Sequence, residues 1–320
     1  MCGILGIFDR GNTRGYNVEA MGKIQQHRGP DHTGTYVDDN IILVHNRLSI
    51  LDLSCNANQP FESADGKYLI IYNGEVYNFR EIAAEIKTHK PGLQLRTSSD
   101  TEIILEAFLL WGTACIQKLN GMFAFAIYDK EKQELYIFRD RLGIKPLYYS
   151  FTDNVFCFSS ELKGITQSLK KPFSLNTDAV RLFLNFGYIP SPFCIYNEVF
   201  KLGAGEFLVF GNGKIKKTKY WHIADHIGSS PVTNEHEAIE QLTGLIHSSI
   251  KYQLISDVPL GVFLSGGIDS SLISAMASRV AGIKLNTFTI GFEENKYDES
   301  KYARSIADYL GAHHTEYILS

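Results

Sequence analysis

Charge of one sign is not in excess in this 320-residue sequence: 31 Lys and Arg face 35 Asp and Glu, a net charge of −4. A chain so near neutral gives no electrostatic reason to expect nucleic acid or an anionic membrane as its main partner. No apolar run approaches the roughly 18 residues of a membrane span. The N-terminus has no basic region ahead of its short apolar stretch, so no secretory signal is expected, and Cys2 in place of Gly excludes N-myristoylation. Cysteine is scarce. The five (Cys2, Cys55, Cys115, Cys157, Cys194) are odd in number, scattered and never in a C-x-x-C pair. That argues against a disulfide framework or a thiolate zinc site, and for a reducing cytoplasm. Internal repeats and low-complexity tracts are missing too. What is present is ordinary: 44% apolar and 21% charged residues exclude wholesale disorder, and the length suggests two domains at roughly 150 residues each.

The first two-thirds reads as short strands rich in aromatic and β-branched residues, at 4–8, 41–45, 68–72, 122–128, 134–138, 146–150 and 155–159. Polar turns such as 129–133 separate them, as in antiparallel hairpins. Helices are predicted at 18–26, 79–89 and 101–111, the last with Ile103, Ile104, Ala107, Phe108 and Trp111 on one face. Antiparallel sheets with helices make a layered α+β domain. From about residue 235 the order becomes helix (237–252), strand (258–264), helix (269–281), strand (286–291), helix (298–310) and strand (315–319), the opening of a parallel α/β sheet. The predicted domains are 1–210 and 235–320, joined by a Gly-, Lys- and Ser-rich linker at 211–234 that carries Pro231. A three-stranded parallel sheet is a poor stopping point, so the second domain is expected to be partial.

Several residues could carry chemistry. Once Met1 is removed, Cys2 bears both a thiol and an α-amine whose reference pKa of about 7.7–8.0 suits it to accept the thiol proton. Cys2 could equally be a small apolar residue at a strand start. Asn73 and Gly74 follow a strand and could aim a side-chain amide and a backbone N–H at one oxygen, as an oxyanion hole requires, yet Asn-Gly is also a strong hairpin-turn signal. Arg47 could grip a carboxylate through its fork, or simply be solvated. Asp100 could receive an ammonium, or be a first-turn acid beside a Ser99–Glu102 capping box. Leu264-Ser265-Gly266-Gly267-Ile268-Asp269-Ser270-Ser271 joins a predicted strand to a predicted helix. Its glycines and hydroxyls suit phosphate oxygens at a helix N-terminus. No G-x-x-x-x-G-K-[ST] or G-x-G-x-x-G occurs, so neither a Walker A loop nor a dinucleotide site is supported.

These residues recur together with Met1-Cys2-Gly3-Ile4, His27-Arg28-Gly29-Pro30-Asp31, His45-Asn46-Arg47-Leu48-Ser49-Ile50, Asn58-Gln59-Pro60 and Tyr72-Asn73-Gly74-Glu75-Val76-Tyr77-Asn78. Ser99-Asp100-Thr101-Glu102, Asn120-Gly121-Met122-Phe123-Ala124 and the run from Arg139 to Tyr149 continue the series. In that order they resemble the glutamine-hydrolysing asparagine synthetase family. The resemblance implies an N-terminal-nucleophile hydrolase fold with αββα layers, followed by part of an ATP pyrophosphatase-type α/β domain.

By that resemblance Cys2 attacks the amide carbon of glutamine and releases ammonia through a thioester. Asn73 and Gly74 match the oxyanion hole, Arg47 the α-carboxylate site, and Glu75 and Asp100 the α-ammonium site. Leu48, Ser49, Ile50 and Leu51 line the same pocket. Ser265, Gly266, Gly267, Asp269 and Ser270 match the pyrophosphate loop, with Asp269 on Mg²⁺, and Leu264 and Ile290 match adenosine contacts. The implied reaction uses ATP to adenylate aspartate, which ammonia converts to asparagine in the cytoplasm.

Two departures stand out. No second acidic Gly-Ser-Asp-Glu segment occurs before Ser320, and Ile290-Gly291-Phe292 with Lys296-Tyr297-Asp298-Glu299-Ser300 is closer to members associated with surface-polysaccharide genes. The alternatives are therefore amidation of a sugar uronate or another carboxylate, a chain with glutaminase activity alone, and a catalytically dead chain that binds partner subunits. The expected partners are small molecules, with no nucleic acid and no membrane. Homodimerisation is left open.

Overall fold

The computed structural model describes residues 1–228, 231–282, 284–294, 296 and 298–319. The chain divides into two units, Met1–Ile227 and Gly228–Ser320. The strands of the first are β1 (Gly3–Phe8), β2 (His32–Val37), β3 (Ile41–Arg47), β4 (Phe61–Glu62), β5 (Tyr68–Val76) and β6 (Gly121–Asp129). They continue as β7 (Glu134–Arg139), β8 (Tyr148–Thr152), β9 (Val155–Ser159), β10 (Val199–Lys201), β11 (Glu206–Gly211) and β12 (Lys214–Lys219). Its helices are α1 (Val18–Ile24), α2 (Phe79–His89), α3 (Asp100–Trp111), α4 (Leu162–Leu169) and α5 (Thr177–Phe186).

β1 and β3 are buried at every position, so both faces of their sheet must be covered. Two antiparallel six-stranded sheets meet this need, in the orders β10-β8-β9-β1-β3-β2 and β12-β11-β7-β6-β5-β4. Alternate side chains point to opposite faces of a strand. Ile4 and Phe8 therefore join Leu43, Ile71, Ala126, Tyr128, Phe156, Phe158 and Phe210 in one core. Leu5 and Ile7 instead pack with Ile42 and Val44, under Met21 of α1 and Ile165 of α4. On the second sheet, Phe108 of α3 sets its ring edge-on to Tyr68, Tyr136 and Phe138 at 6.0, 5.0 and 6.2 Å. The expected αββα layers are present.

Three expectations change. Residues 214–219, part of the 211–234 stretch read as linker from its Gly, Lys and Ser content, form an edge strand paired with β11, and edge strands tolerate lysine. The first unit accordingly runs on to Ile227, while Ser229 and Ser230 of the expected linker lie outside the described residues. Asn73-Gly74 is not a hairpin turn: β5 continues through it, with Asn73 opposite Ala124 and Gly74 opposite Phe123. The Ser99–Glu102 capping box does not close. Ser99 caps α3 by accepting from Thr101 N (3.2 Å), but the Glu102 carboxylate turns back to Arg96 N and Thr97 N. Strands β2, β4, β10 and β11 and helices α4 and α5 carry no expectation from the sequence.

The second unit comprises α6 (Glu235–Gln253), β13 (Gly261–Phe263), α7 (Ile268–Ala281), β14 (Asn286–Phe292), α8 (Ser300–Leu310) and β15 (His313–Leu319). Its strands form a parallel sheet in the order β13-β14-β15. The expected helix–strand alternation holds, with the first strand shorter than its 258–264 reading.

Candidate active site

Strand register brings the N-terminus and β3 together. Gly3 pairs with Asn46, which sets Cys2 beside Arg47 and Leu48 at the end of β3. Leu48 N donates to Cys2 Sγ (3.4 Å), and the thiol donates back to Leu48 O (3.6 Å). Arg28 Nε holds the Cys2 carbonyl at 2.9 Å and its Nη1 reaches Glu161 at 3.1 Å, so the first peptide is clamped. Burial pushes the Cys2 thiol up, offset in part by the Leu48 N–H. Burial also pulls the terminal amine, here that of Met1, below its ordinary value.

One narrow cleft is lined by Cys2, Arg47, Leu48, Ile50, Leu51, Ala57, Gln59, Tyr72, Gly74, Glu75, Ser99, Asp100 and Thr101. Asn73, between Tyr72 and Gly74 on β5, is not among the lining residues; it is fully buried, and among the described residues neither end of its carboxamide has a hydrogen-bond partner. An orphaned buried amide is costly and needs a reason. Gly74 must lack a side chain because a Cβ there would sit 2.3 Å from Met122 O on β6.

Glu75 and Asp100 place two acids in the same cleft. Asp100 Oδ2 accepts from Tyr72 Oη (2.7 Å) and Val76 N (2.9 Å), so it faces the sheet rather than acting as a surface acid on the helix dipole. Burial raises its pKa despite these bonds. Glu75 is pushed up to about 8 by burial and then by the Asp100 charge, with Lys145 and the terminal amine pulling the other way. Two buried acids side by side are poised to receive a cation.

Arg47 departs from its expected availability. Its Nη1 donates to Ser54 O and Asn58 Oδ1, both at 2.8 Å, and its Nη2 to Leu51 O (3.3 Å) and Asp52 O. All four terminal N–H groups are thus committed to the following loop. Ser49 does not line the cleft, and its N–H binds Asp31 Oδ2 at 2.7 Å. Gln59 was not singled out by its chemistry, although Asn58-Gln59-Pro60 marked the place. Its amide accepts from Tyr72 N (2.6 Å) and donates to Thr101 Oγ1 (3.1 Å), tying the loop to β5 and α3.

In the second unit, Gly267 is the residue before α7. Gly266 has φ +81°, and a Cβ on it would meet Ala303 N at 2.8 Å. Ser265 Oγ accepts from Gly267 N (3.3 Å) and lies 3.0 Å from Ser270 Oγ. Asp269 is exposed in the first helical turn. Among the described residues no cluster of three His, Cys, Asp or Glu could hold a metal unaided. Leu264 packs against Ala303 and Ala307 of α8, and its N–H is used by Phe288 O, whereas Ile290 is half exposed. Tyr297 of the polysaccharide-like segment lies outside the described residues.

Residues 1–221 match the glutamine amidotransferase domain family. The chain belongs to that family. As a glutamine amidotransferase it carries a second match, to asparagine synthase, over residues 241–320. It is 39% identical to a putative glutamine-hydrolysing asparagine synthetase 2 of Methanocaldococcus jannaschii, over 99% of this chain and 64% of the relative. It is 33% identical to asparagine synthetase 1 of Bacillus subtilis (100% and 50%) and 32% identical to asparagine synthetase B of Escherichia coli (99% and 54%). This amidotransferase therefore spans about half to two-thirds of the length of these curated relatives. Among solved structures, the glutamine phosphoribosylpyrophosphate amidotransferase of B. subtilis shares its fold, with TM-score 0.51, 14% identity, and 99% and 81% of the two chains covered. No helix among the described residues is long and apolar enough to cross a membrane.

Proposed function

We propose that the first unit hydrolyses glutamine and that the ammonia serves ATP-dependent amidation of aspartate to asparagine. The observation that carries the glutaminase reading is the convergence of Cys2, Gly74, Glu75 and Asp100 on one cleft, next in sequence to the buried Asn73, whose amide has no partner among the described residues. With Met1 removed, the Cys2 α-amine, of reference pKa about 7.7–8.0, takes the thiol proton as sulfur attacks the amide carbon. Asn73 Nδ2 and Gly74 N–H stabilise the developing oxyanion. The protonated amine then gives its proton to the departing ammonia, and water clears the thioester. Glu75 and Asp100 hold the substrate ammonium. Arg47 takes the α-carboxylate by exchanging loop carbonyls for it, so glutamine binding rearranges residues 51–54.

The Ser265–Ser270 loop suits ATP phosphates, since Gly266 leaves no room for a side chain and the α7 N-terminus follows. Asp269 supplies one carboxylate, which fits Mg²⁺ only as an ion shared with phosphate oxygens, its usual mode. When bound, Mg²⁺ would supply neutralisation of phosphate charge. The five free thiols fit a cytoplasmic enzyme.

The test is to incubate the purified chain with ATP, Mg²⁺, aspartate and glutamine, following glutamate, pyrophosphate and asparagine separately. Glutamate release is expected, without pyrophosphate or asparagine, because the catalytic cleft lies wholly within the first unit. Aspartate-dependent pyrophosphate release would show that these 320 residues also build the acceptor site. A longer version releasing pyrophosphate with uronic acids instead of aspartate would reassign the acceptor.

Glu75 also makes glutamine binding pH-dependent. In the free site it holds its proton up to about pH 8. An incoming ammonium favours the carboxylate, so binding expels that proton and strengthens as pH rises. Affinity for the product glutamate, measured by calorimetry, should increase about tenfold from pH 7 to pH 9, the ionised fraction set by a pKa of 8. Glu75→Gln should flatten the curve. A flat curve in the unaltered protein would remove Glu75 from the ammonium site.

A further inference from the structure

One buried cation lines no part of the cleft and has no task in the chemistry above. Lys145 is 4% exposed. Its backbone is held at both ends, N–H donating to Asp140 Oδ2 (3.0 Å) and carbonyl accepting from Arg139 Nε (2.8 Å). The same Asp140 Oδ2 accepts from Phe123 N (3.2 Å), and Phe123 is directly opposite Gly74 in the β5–β6 pair. Lys145 is thereby hung from the strand pair that presents Gly74 and Glu75. Among the described residues its ammonium forms no contact ion pair. The charged and titratable groups that act on it are the acidic Glu75, Cys2 and Asp140 and the basic Arg28 and terminal amine.

A buried, unpaired ammonium is unfavourable, and a lysine kept only for its aliphatic stem could be replaced by methionine at no loss. We propose that Lys145 is an electrostatic positioning residue of the glutaminase site, whose ammonium stabilises negative charge on the Cys2 sulfur and on Glu75 as each group ionises. This rests on the reading of Cys2 as the nucleophile. In a low-dielectric cleft such a charge acts over several ångströms without touching its target. Lys145 draws the Glu75 carboxyl down, while Glu75 and Cys2 hold the Lys145 ammonium up against its burial.

The test reads the sulfur without using glutamine. In a processed chain carrying Cys55→Ser, which removes the exposed thiol, iodoacetamide alkylation of Cys2 is followed against pH by mass analysis of the N-terminal peptide. Lys145→Met should move the midpoint up by about one unit, so that alkylation at pH 7 is about tenfold slower. Lys145→Arg should stay within about twofold of the unaltered protein. A folded Lys145→Met variant with an unshifted midpoint overturns the proposal, as does Lys145→Arg shifting as far as Lys145→Met. If Lys145→Met does not fold, Lys145→Gln replaces it. If neither folds, Lys145→Arg decides alone: a retained curve supports the proposal and a displaced one overturns it. Because alkylation needs no substrate, a chain that fails to hydrolyse glutamine yet shows the shift separates the role of Lys145 from the glutaminase reading.

Discussion

Cys2→Ala is expected to abolish glutamate release, with a loss of at least about a thousandfold in kcat, because no other thiol lines the cleft and the covalent route disappears. The same loss is expected when Met1 is retained or a tag is added. Either change turns the Cys2 amine into an amide that cannot accept a proton. Thermal stability should barely change, since Cys2 is only half buried and lies outside the sheet cores. Intact mass of the terminus paired with glutamate release separates the two parts of the claim. Full activity with Met1 in place would reject the amine as base while leaving sulfur as nucleophile.

Asn73→Ala is expected to lower kcat by about a hundred- to a thousandfold while moving KM for glutamine little, the pattern of a donor that acts mainly in the transition state. The structure sharpens this expectation. An Asn with a purely structural part would have its amide bonded, whereas both ends of Asn73 are buried without partners among the described residues. Replacing it should even relieve an unsatisfied polar group, so the melting temperature should hold or rise slightly. A variant with intact kcat, or one that loses stability and activity in parallel, would return Asn73 to a structural part.

Much of this site was legible because its motifs sit where strands end. Cys2, Arg47 and Glu75 are near the ends of β1, β3 and β5, and Asp100 opens α3, so local sequence already placed each at a rim. Register was not legible. Only the pairing of Gly3 with Asn46 and of Gly74 with Phe123 shows which rims meet. Asn73-Gly74 read equally as a turn because dipeptide propensity knows nothing of β6, which captures both residues in a long strand. Arg47 could be read as a candidate carboxylate grip, but its engagement with the carbonyls of its own loop could not, because that depends on how residues 51–58 fold back. Residues 214–219 failed for the opposite reason. Their lysines suit an exposed edge strand and a linker equally well, and only pairing with β11 decides. The parallel unit was the easiest to read, since helical and strand periods alternate with Gly-rich turns between them.

The central claim is that the Cys2 sulfur attacks the glutamine side-chain carbonyl. The most direct measurement offers the processed chain a glutamine analogue bearing a diazoketone in place of the amide, and locates the adduct by peptide mass spectrometry while glutamate release is followed. One adduct on Cys2 is expected, suppressed by glutamine and formed in proportion to lost activity. Glutamate release that persists with Cys2 fully modified, or inactivation that leaves Cys2 unmodified, would contradict it.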